Sequence, residues 1–464
     1  MSYPRLPPLL TSFKLNAEDA TGSRSAVYRD DRVVFALSGS SAAMHDAAVV
    51  GDDLTGTMDT AHAIAAAGRR AVVHARPGER DPDVDANASV VGLTTESRYD
   101  DPHDAAIAVR NVIESLPSYV LYKKIDSTLR GNVGPEVDAA LTAAGRQLAV
   151  VAPAFPARGR TTVEGVHYVE GTPVAETEYA VDAAGPDSSA VADRFGGVDR
   201  RVTTVDRSTV RAGDETVRAA FRRAVAVGDR APVVVCDAST DTDLATVAAA
   251  AAEFDVLYVG SAGLAEHVAL PGEATDLAES TLASTGAPLG IVGSVSPTTL
   301  RQLDRVPEEA VFELEPTAAL DAEADPTPAG AVERLRGGAP TVVTAATDRG
   351  AVEQTEAAGA ARGLAPNEIR DRVASALGSA TAHLVGEGEP SGVVLTGGDV
   401  ASAAVRALDA TAIRLADEPV ERGIPRGRLA DGPAAGTPIA TKAGGFGVEG
   451  TIVNCLNALS PTDD

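Results

Sequence analysis

The chain has 464 residues, 44% of them hydrophobic, which is ample for ordinary globular cores. It carries 66 acidic against 40 basic side chains, a formal charge of −26, with 3% aromatics and no Trp. A surface this acidic, without stacking platforms or a basic stripe, excludes nucleic-acid and anionic-membrane partners.

In chain order, residues 1–45 show little periodicity and read as an N-terminal extension. No uninterrupted apolar run makes a signal peptide there, and none in the chain reaches the ~18 residues of a membrane helix, so a cytoplasmic protein is expected. From Ala47 short apolar runs alternate with helical stretches: a strand at 47–50 and a helix over 57–68, then strands at 71–75, 90–93, 119–124 and 148–153, with helices over 101–116 and 133–144 between them. That rhythm predicts a parallel sheet flanked by helices. Segment 156–200 reads as a long loop. The rhythm resumes with strands at 232–237 and 256–263, a helix at 241–253 and another from Leu264. Residues 271–288 are small and polar and read as a linker. A second α/β series follows, with strands at 289–294, 339–346, 392–398 and 437–447 and helices from Pro297, over 366–385, 400–408 and 449–458. The acidic stretch 317–338 reads as a surface excursion. The expected architecture is α/β with two domains, 46–270 and 289–460, each a mostly parallel sheet flanked by helices, and a ligand cleft between them.

The chemistry-bearing residues fall just after the predicted strands, where α/β sheets bind ligands. In GDDLTG (51–56), Asp52 or Asp53 can take a proton from a hydroxyl or hold it, with Thr55 beside them; the bland alternative is a helix cap. Asp59 either faces the same crevice or lies on a solvated helix face. The Asp-x-Asp of a dehalogenase-type phosphatase is absent, because Leu54 stands two after Asp52. TESR (95–98) offers Glu96 and Arg98 to a polar substrate, or to a surface salt bridge. KKIDSTLRGN (123–132) brings Lys123, Lys124, Asp126, Arg130 and Asn132; an Arg here can grip a carboxylate bidentately. PARGR (156–160) adds Arg158 and Arg160, and His167 reads equally as structural or catalytic.

Lysine is scarce: only Lys14, Lys123, Lys124 and Lys442 occur. An acidic chain with Arg in place of Lys reads as adapted to high salt, where screening contracts to about 3 Å. Surviving lysines are then expected at points that need a compact charge. The cysteines, Cys236 and Cys455, have no metal or disulfide spacing and are expected to be buried thiols; no metal-ligand set is expected. The second half offers backbone donors instead: glycine turns at VGSVS (292–296), TGGD (396–399) and KAGGFG (442–447), the last beside Lys442. Glycines at helix starts let N–H groups approach a phosphate. Neither a Walker A sequence nor a dinucleotide fingerprint is present.

These motifs, with GSAGLA (260–265), run in an order that resembles the four-carbon acid sugar kinase family from residue 47 to 455. The resemblance implies a sugar-acid-binding first domain, an ATP-binding second domain and Mg²⁺-ATP-dependent phosphorylation of a terminal hydroxyl of a four-carbon sugar acid. Carried over by motif, ATP would contact Ser294, Gly397, Gly398, Asp399, Val400 and Gly444, joined by Lys442 from the reading above. The sequence departs from the family's usual GSCS, GGET and KSGNFG at Val295, Asp399-Val400, Ala443 and Gly445. The expected catalytic residues are Asp52, Asp53 and Lys124. The expected substrate-binding residues are Thr55, Arg98, Asp126, Arg130, Asn132 and Arg160. Arg130 and Arg98 hold the carboxylate, and Lys124 with Lys442 offsets phosphoryl charge. The expected partners are the sugar acid, ATP and a second copy of the chain. The competing reading is a two-domain sugar-acid sensor without turnover.

Overall fold

A computed structural model describes residues 24–29, 32–37, 45–66, 68–80, 82–85, 87–116, 118–272, 286–321 and 325–461. The chain divides into two units, Met1–Met44 and His45–Asp464. In the first unit, Arg24–Arg29 pairs antiparallel with Arg32–Leu37. Most of the expected linker, 273–285, lies outside the described residues.

In the second unit fifteen strands form one sheet. From one edge, the strands start at Val202, Val233, Leu148, Val256, Ser118, His45, Val90 and Ala71, then Ala412, Arg426, Pro438, Val393, Leu289, Thr341 and Val311. Pairing is parallel on both flanks and antiparallel in the middle, where Ala412 faces His74, Ile413 faces Leu429 and Arg426 faces Ala440. Two sheets were expected; the Ala412–Leu415 and Arg426–Leu429 strands join them into one. An edge strand presents unpaired N–H and C=O groups, and this joint removes two such edges.

The inner parallel strands are Val-rich and buried on both faces, as parallel strands between helices must be. Val233, Val234, Val235 and Cys236 are 0% exposed. One apolar cluster runs from Ala47 and Leu54 in the first half to Leu395 and Ile439 in the second. The expected helix at 57–68 is Leu54–Ala65, and the helix expected from Leu264 is the single turn Ala262–Ala265. The stretch 317–338 is not a surface excursion throughout, since Leu320, Ala331 and Leu335 are buried. Segment 156–200 contains a small antiparallel sheet, Arg160–Val163, Val166–Val169 and Thr172–Pro173.

All the motifs follow the carboxyl ends of parallel strands. Gly51, Thr94, Lys124, Ala152 and Gly260 end strands in the first half, and Val292, Thr396 and Lys442 in the second. The two sets of loops meet at a seam.

Candidate active site

The Leu54–Ala65 helix carries the first motif. Asp53 occupies its N-cap position with extended backbone, yet its carboxylate makes no capping bond. It accepts instead from the Thr55 hydroxyl at 2.8 Å and pairs with Arg98 Nη2 at 2.9 Å. The Arg98 contact is close but not aligned, and Asp53 Oδ1 has no hydrogen-bond partner. The capping alternative therefore fails here. Asp52 lies in a two-pronged pair with Arg98, Nε–Oδ2 2.8 Å and Nη2–Oδ1 3.0 Å. Burial alone would raise Asp52, but Arg98, with Lys124 and Lys123, outweighs it and holds the carboxyl below the usual range. Both Asp52 oxygens are taken by Arg98, so Asp52 is placed to hold that guanidinium rather than a substrate hydroxyl.

Arg98 also stands 4.0 Å from Asp126. Asp126 binds Arg130 Nε at 2.7 Å and Nη2 at 3.2 Å, and accepts from Thr128. Burial raises it, and Arg130 and Arg98 bring it well below the usual range. Arg130 further reaches Asp182 at 3.3 Å. The two arginines expected to receive a substrate carboxylate are thus paired with carboxylates of the protein. Asn132 is a strut as well: its amide donates to Ser97 O at 3.1 Å and Asp100 O at 3.0 Å, fixing the TESR turn. In that turn Glu96 has a positive φ of 53° and accepts from Thr94 at 2.5 Å. Burial pushes Glu96 up to about 7.

Beneath lies a buried pair absent from the expected set, Lys123 Nζ–Glu136 Oε2 at 2.8 Å. Glu136 Oε1 accepts from Ser97 at 2.6 Å. Successive strand residues point to opposite faces, so Lys123 goes inward and Lys124 toward the loops. Lys124 is 5% exposed, and its ammonium has no hydrogen bond or ion pair among the described residues. Its Nζ and Asp53 Oδ1 crowd the same point over Gly56, where an added Cβ would lie 2.5 Å from each. Arg158 is similarly without an ion pair, half-buried, and stacks over Phe446 at 5.0 Å. Arg160 is held by Arg158 O and Tyr179 Oη and also faces Phe446. His167 is structural: its ring bonds to Thr162 and Ser127 O, and burial lowers it to about 4.

In the second half, Gly397 (φ +92°) turns the chain into the Gly398–Ala407 helix. Ser296 caps the Pro297–Leu303 helix and donates to Gly444 O at 2.8 Å, and Ser294 Oγ lies against Gly444. Val400 packs on Gly293. Asp399 pairs with Arg370 at 3.4 Å and is 42% exposed; burial raises its carboxyl. Lys442 differs from expectation. It is 0% exposed, and its Nζ lies 3.1–3.3 Å from Thr299 Oγ1, Ala443 O, Gly444 O and Phe446 O. Burial lowers it to about 7. An ammonium has three protons, and these four acceptors use them all; Lys442 ties the glycine turn rather than facing a phosphate.

The halves touch at the reacting edge. A Cβ on Gly398 would come 2.8 Å from Asp53 Oδ2, so the first half's carboxylate lies at the N-terminus of the second half's helix. Arg370 covers the Tyr99 ring at 3.7 Å, and Arg422 reaches from the second half to Glu266. One group among the described residues has three ligand atoms in mutual reach, Asp241, Glu266 and His267. Both acids already pair with Arg422, so it does not fit a resident cation. No described helix is long and apolar enough to cross a membrane.

A half bearing fixed charges faces a half bearing glycine turns at helix starts, the arrangement expected of a phosphotransferase that binds two substrates. Family comparison agrees: residues 47–268 match the sugar-binding N-terminal domain and 289–452 the nucleotide-binding C-terminal domain. A D-threonate kinase of Bordetella bronchiseptica is 36% identical, over 89% of this chain and 96% of that protein. A D-erythronate kinase of Heliobacterium modesticaldum is 33% identical (90% and 97%), and a 3-oxo-tetronate kinase of Methylobacterium radiotolerans 32% (86% and 95%). A solved Salmonella typhimurium LT2 structure shares the fold, with TM-score 0.70 at 20% identity over 88% of this chain and 98% of that one. The chain belongs to the four-carbon acid sugar kinase family and is an enzyme of the carbohydrate kinase class.

Proposed function

We propose that this chain transfers the γ-phosphoryl group of ATP to the terminal hydroxyl of a four-carbon sugar acid, with D-threonate the first candidate. The observation that carries the reading is the position of Asp53, which stands beside Lys124 over Gly56 and against Gly398 at the start of the Gly398–Ala407 helix. The sugar acid lies beside Asp53 and Lys124 in the first half. The triphosphate lies on the turns at Ser294, Gly397–Val400 and Gly444. Lys124 and Arg158, two cations with no ion pair within 4 Å among the described residues, face the phosphoryl oxygens and the substrate carboxylate. Thr55 and Arg98 fix Asp53, which orients the hydroxyl. Transfer of this kind is positioning plus electrostatics, and closing the two halves on the substrates keeps competing water out.

Mg²⁺ arrives on the nucleotide as part of the substrate. A reducing cytoplasm suits the two buried free thiols, Cys236 and Cys455. ADP release measured over D-threonate, D-erythronate and 3-oxo-tetronate tests the reading. At least one acid should drive turnover, and Lys124→Ala should reduce kcat about 10²-fold or more. Binding of an acid with no ADP formed from any of them would leave the sensor reading.

A further inference from the structure

We propose that Asp59 accepts the proton of the attacking hydroxyl. The inference rests on the kinase reading above and assigns to Asp59 a step first sought in Asp52 or Asp53. Asp59 is 8% exposed, and its carboxylate has no hydrogen bond and no ion pair within 4 Å among the described residues. An unpaired buried carboxylate is costly to keep, and such costs concentrate where function requires them. Its position is specific. Asp59 follows Gly56 by three residues on the Leu54–Ala65 helix, so both share a face. Over Gly56 stand Lys124 Nζ and Asp53 Oδ1, which places Asp59 one turn beyond the expected reacting point.

The neighbouring Asp52 and Asp53 both pair with Arg98. Asp52 is bound two-pronged by Arg98, and Asp53 is held by Thr55 and Arg98 at the start of the Gly398 helix. The charged and titratable groups facing Asp59 come from every side: Lys124 and Tyr122 from the Ser118–Lys124 strand, Arg158 from the loop that stacks on Phe446, Glu266 after the Ala262–Ala265 turn, and Asp53 at its own helix start. Burial outweighs Lys124 and Arg158 and raises Asp59 to about 7, which suits an acceptor at neutral pH.

In the step, the hydroxyl oxygen bonds to the γ-phosphorus and its proton passes to the Asp59 carboxylate. The bond from γ-phosphorus to the bridging oxygen breaks, and its electron pair leaves with ADP.

The test compares wild type, Asp59→Asn, Asp59→Glu and Glu96→Gln in the ADP-release assay from pH 5.5 to 9, with melting followed in parallel. Asn should lower kcat about 10²–10⁴-fold, change either KM less than threefold, and abolish the fall in rate below neutrality. Glu should restore part of the rate, and Glu96→Gln should keep the acid limb. Asn should also raise the melting temperature at pH 8. The folded protein holds the Asp59 proton more tightly than the unfolded chain, so wild-type stability declines as pH climbs toward 7; the Asn advantage should fade by about pH 4. An Asn variant that keeps rate and acid limb overturns the proposal, as does a lost rate restored by raising Mg²⁺, which would make Asp59 a metal ligand. Wild type inactive on every four-carbon acid would instead bring down the kinase reading, and this proposal with it.

Discussion

Arg98 faces more negative charge than one guanidinium can cancel: Asp52, Asp53 and, at 4.0 Å, Asp126. Removing one partner from a buried ion pair leaves the other uncompensated, at a cost of about 3–5 kcal/mol. Arg98→Ala should lose roughly that much in urea unfolding at neutral pH. Asp52 and Asp126 are held below the usual carboxylate range. Their contribution is complete above that range and vanishes as pH falls through the depressed folded values, so the gap between variant and wild type should close in acid. An unchanged midpoint at pH 7 would show that the cluster contributes nothing to the fold. Residue identity in this cluster was legible, because scarce lysines and clustered charges after strands mark a site. Residue availability was not. Whether Arg98 is free for a substrate depends on Asp52, 46 positions away in the chain, and only the fold sets that distance. The same limit hid Lys442, whose scarcity pointed to a phosphate but whose ammonium binds carbonyls of its own loop.

Among the elements, long Val-rich runs were readable because a strand buried on both faces needs no alternation. The joining strands, Ala412–Leu415 and Arg426–Leu429, were not: each carries Arg and is ordered by partners remote in sequence, His74 among them. The Arg349–Ala361 helix escaped because few of its residues are buried, chiefly Thr355 and Gly359; Val311–Glu313, Arg207–Arg211 and Asp214–Val225 were missed too. The glycine turns were legible, and their geometry says why glycine stands there. A Cβ on Gly444 would overlap the Ser294 hydroxyl, so the 293–296 and 442–447 turns can meet only if that position is bare. Gly444→Ala should weaken ATP binding at least tenfold in calorimetry. The sugar acid should bind with unchanged affinity, because its half of the seam is untouched. Equal loss of both ligands would mean that the two turns do not form a separate nucleotide element.

For the whole molecule, two electrostatic effects oppose each other. The surface pairs are mostly exposed, such as Arg222–Glu215 and Arg336–Glu387; each contributes at most about 1 kcal/mol and weakens with salt. Against them stands the self-repulsion of a −26 chain, which salt relieves over the whole surface. The buried Arg98–Asp52 pair and the Arg370–Tyr99 stack across the seam are shielded from both changes by burial or close packing. Repulsion among 26 uncompensated charges is long-ranged and should exceed the loss from scattered pairs. The melting temperature should therefore rise steadily between 0.1 and 2 M KCl. Potassium sulfate at equal ionic strength should add a further increment, since excluded salts favour burial. A melting temperature that falls with KCl would show that the arginine pairs outweigh the net charge and that the acidic composition is no adaptation to brine.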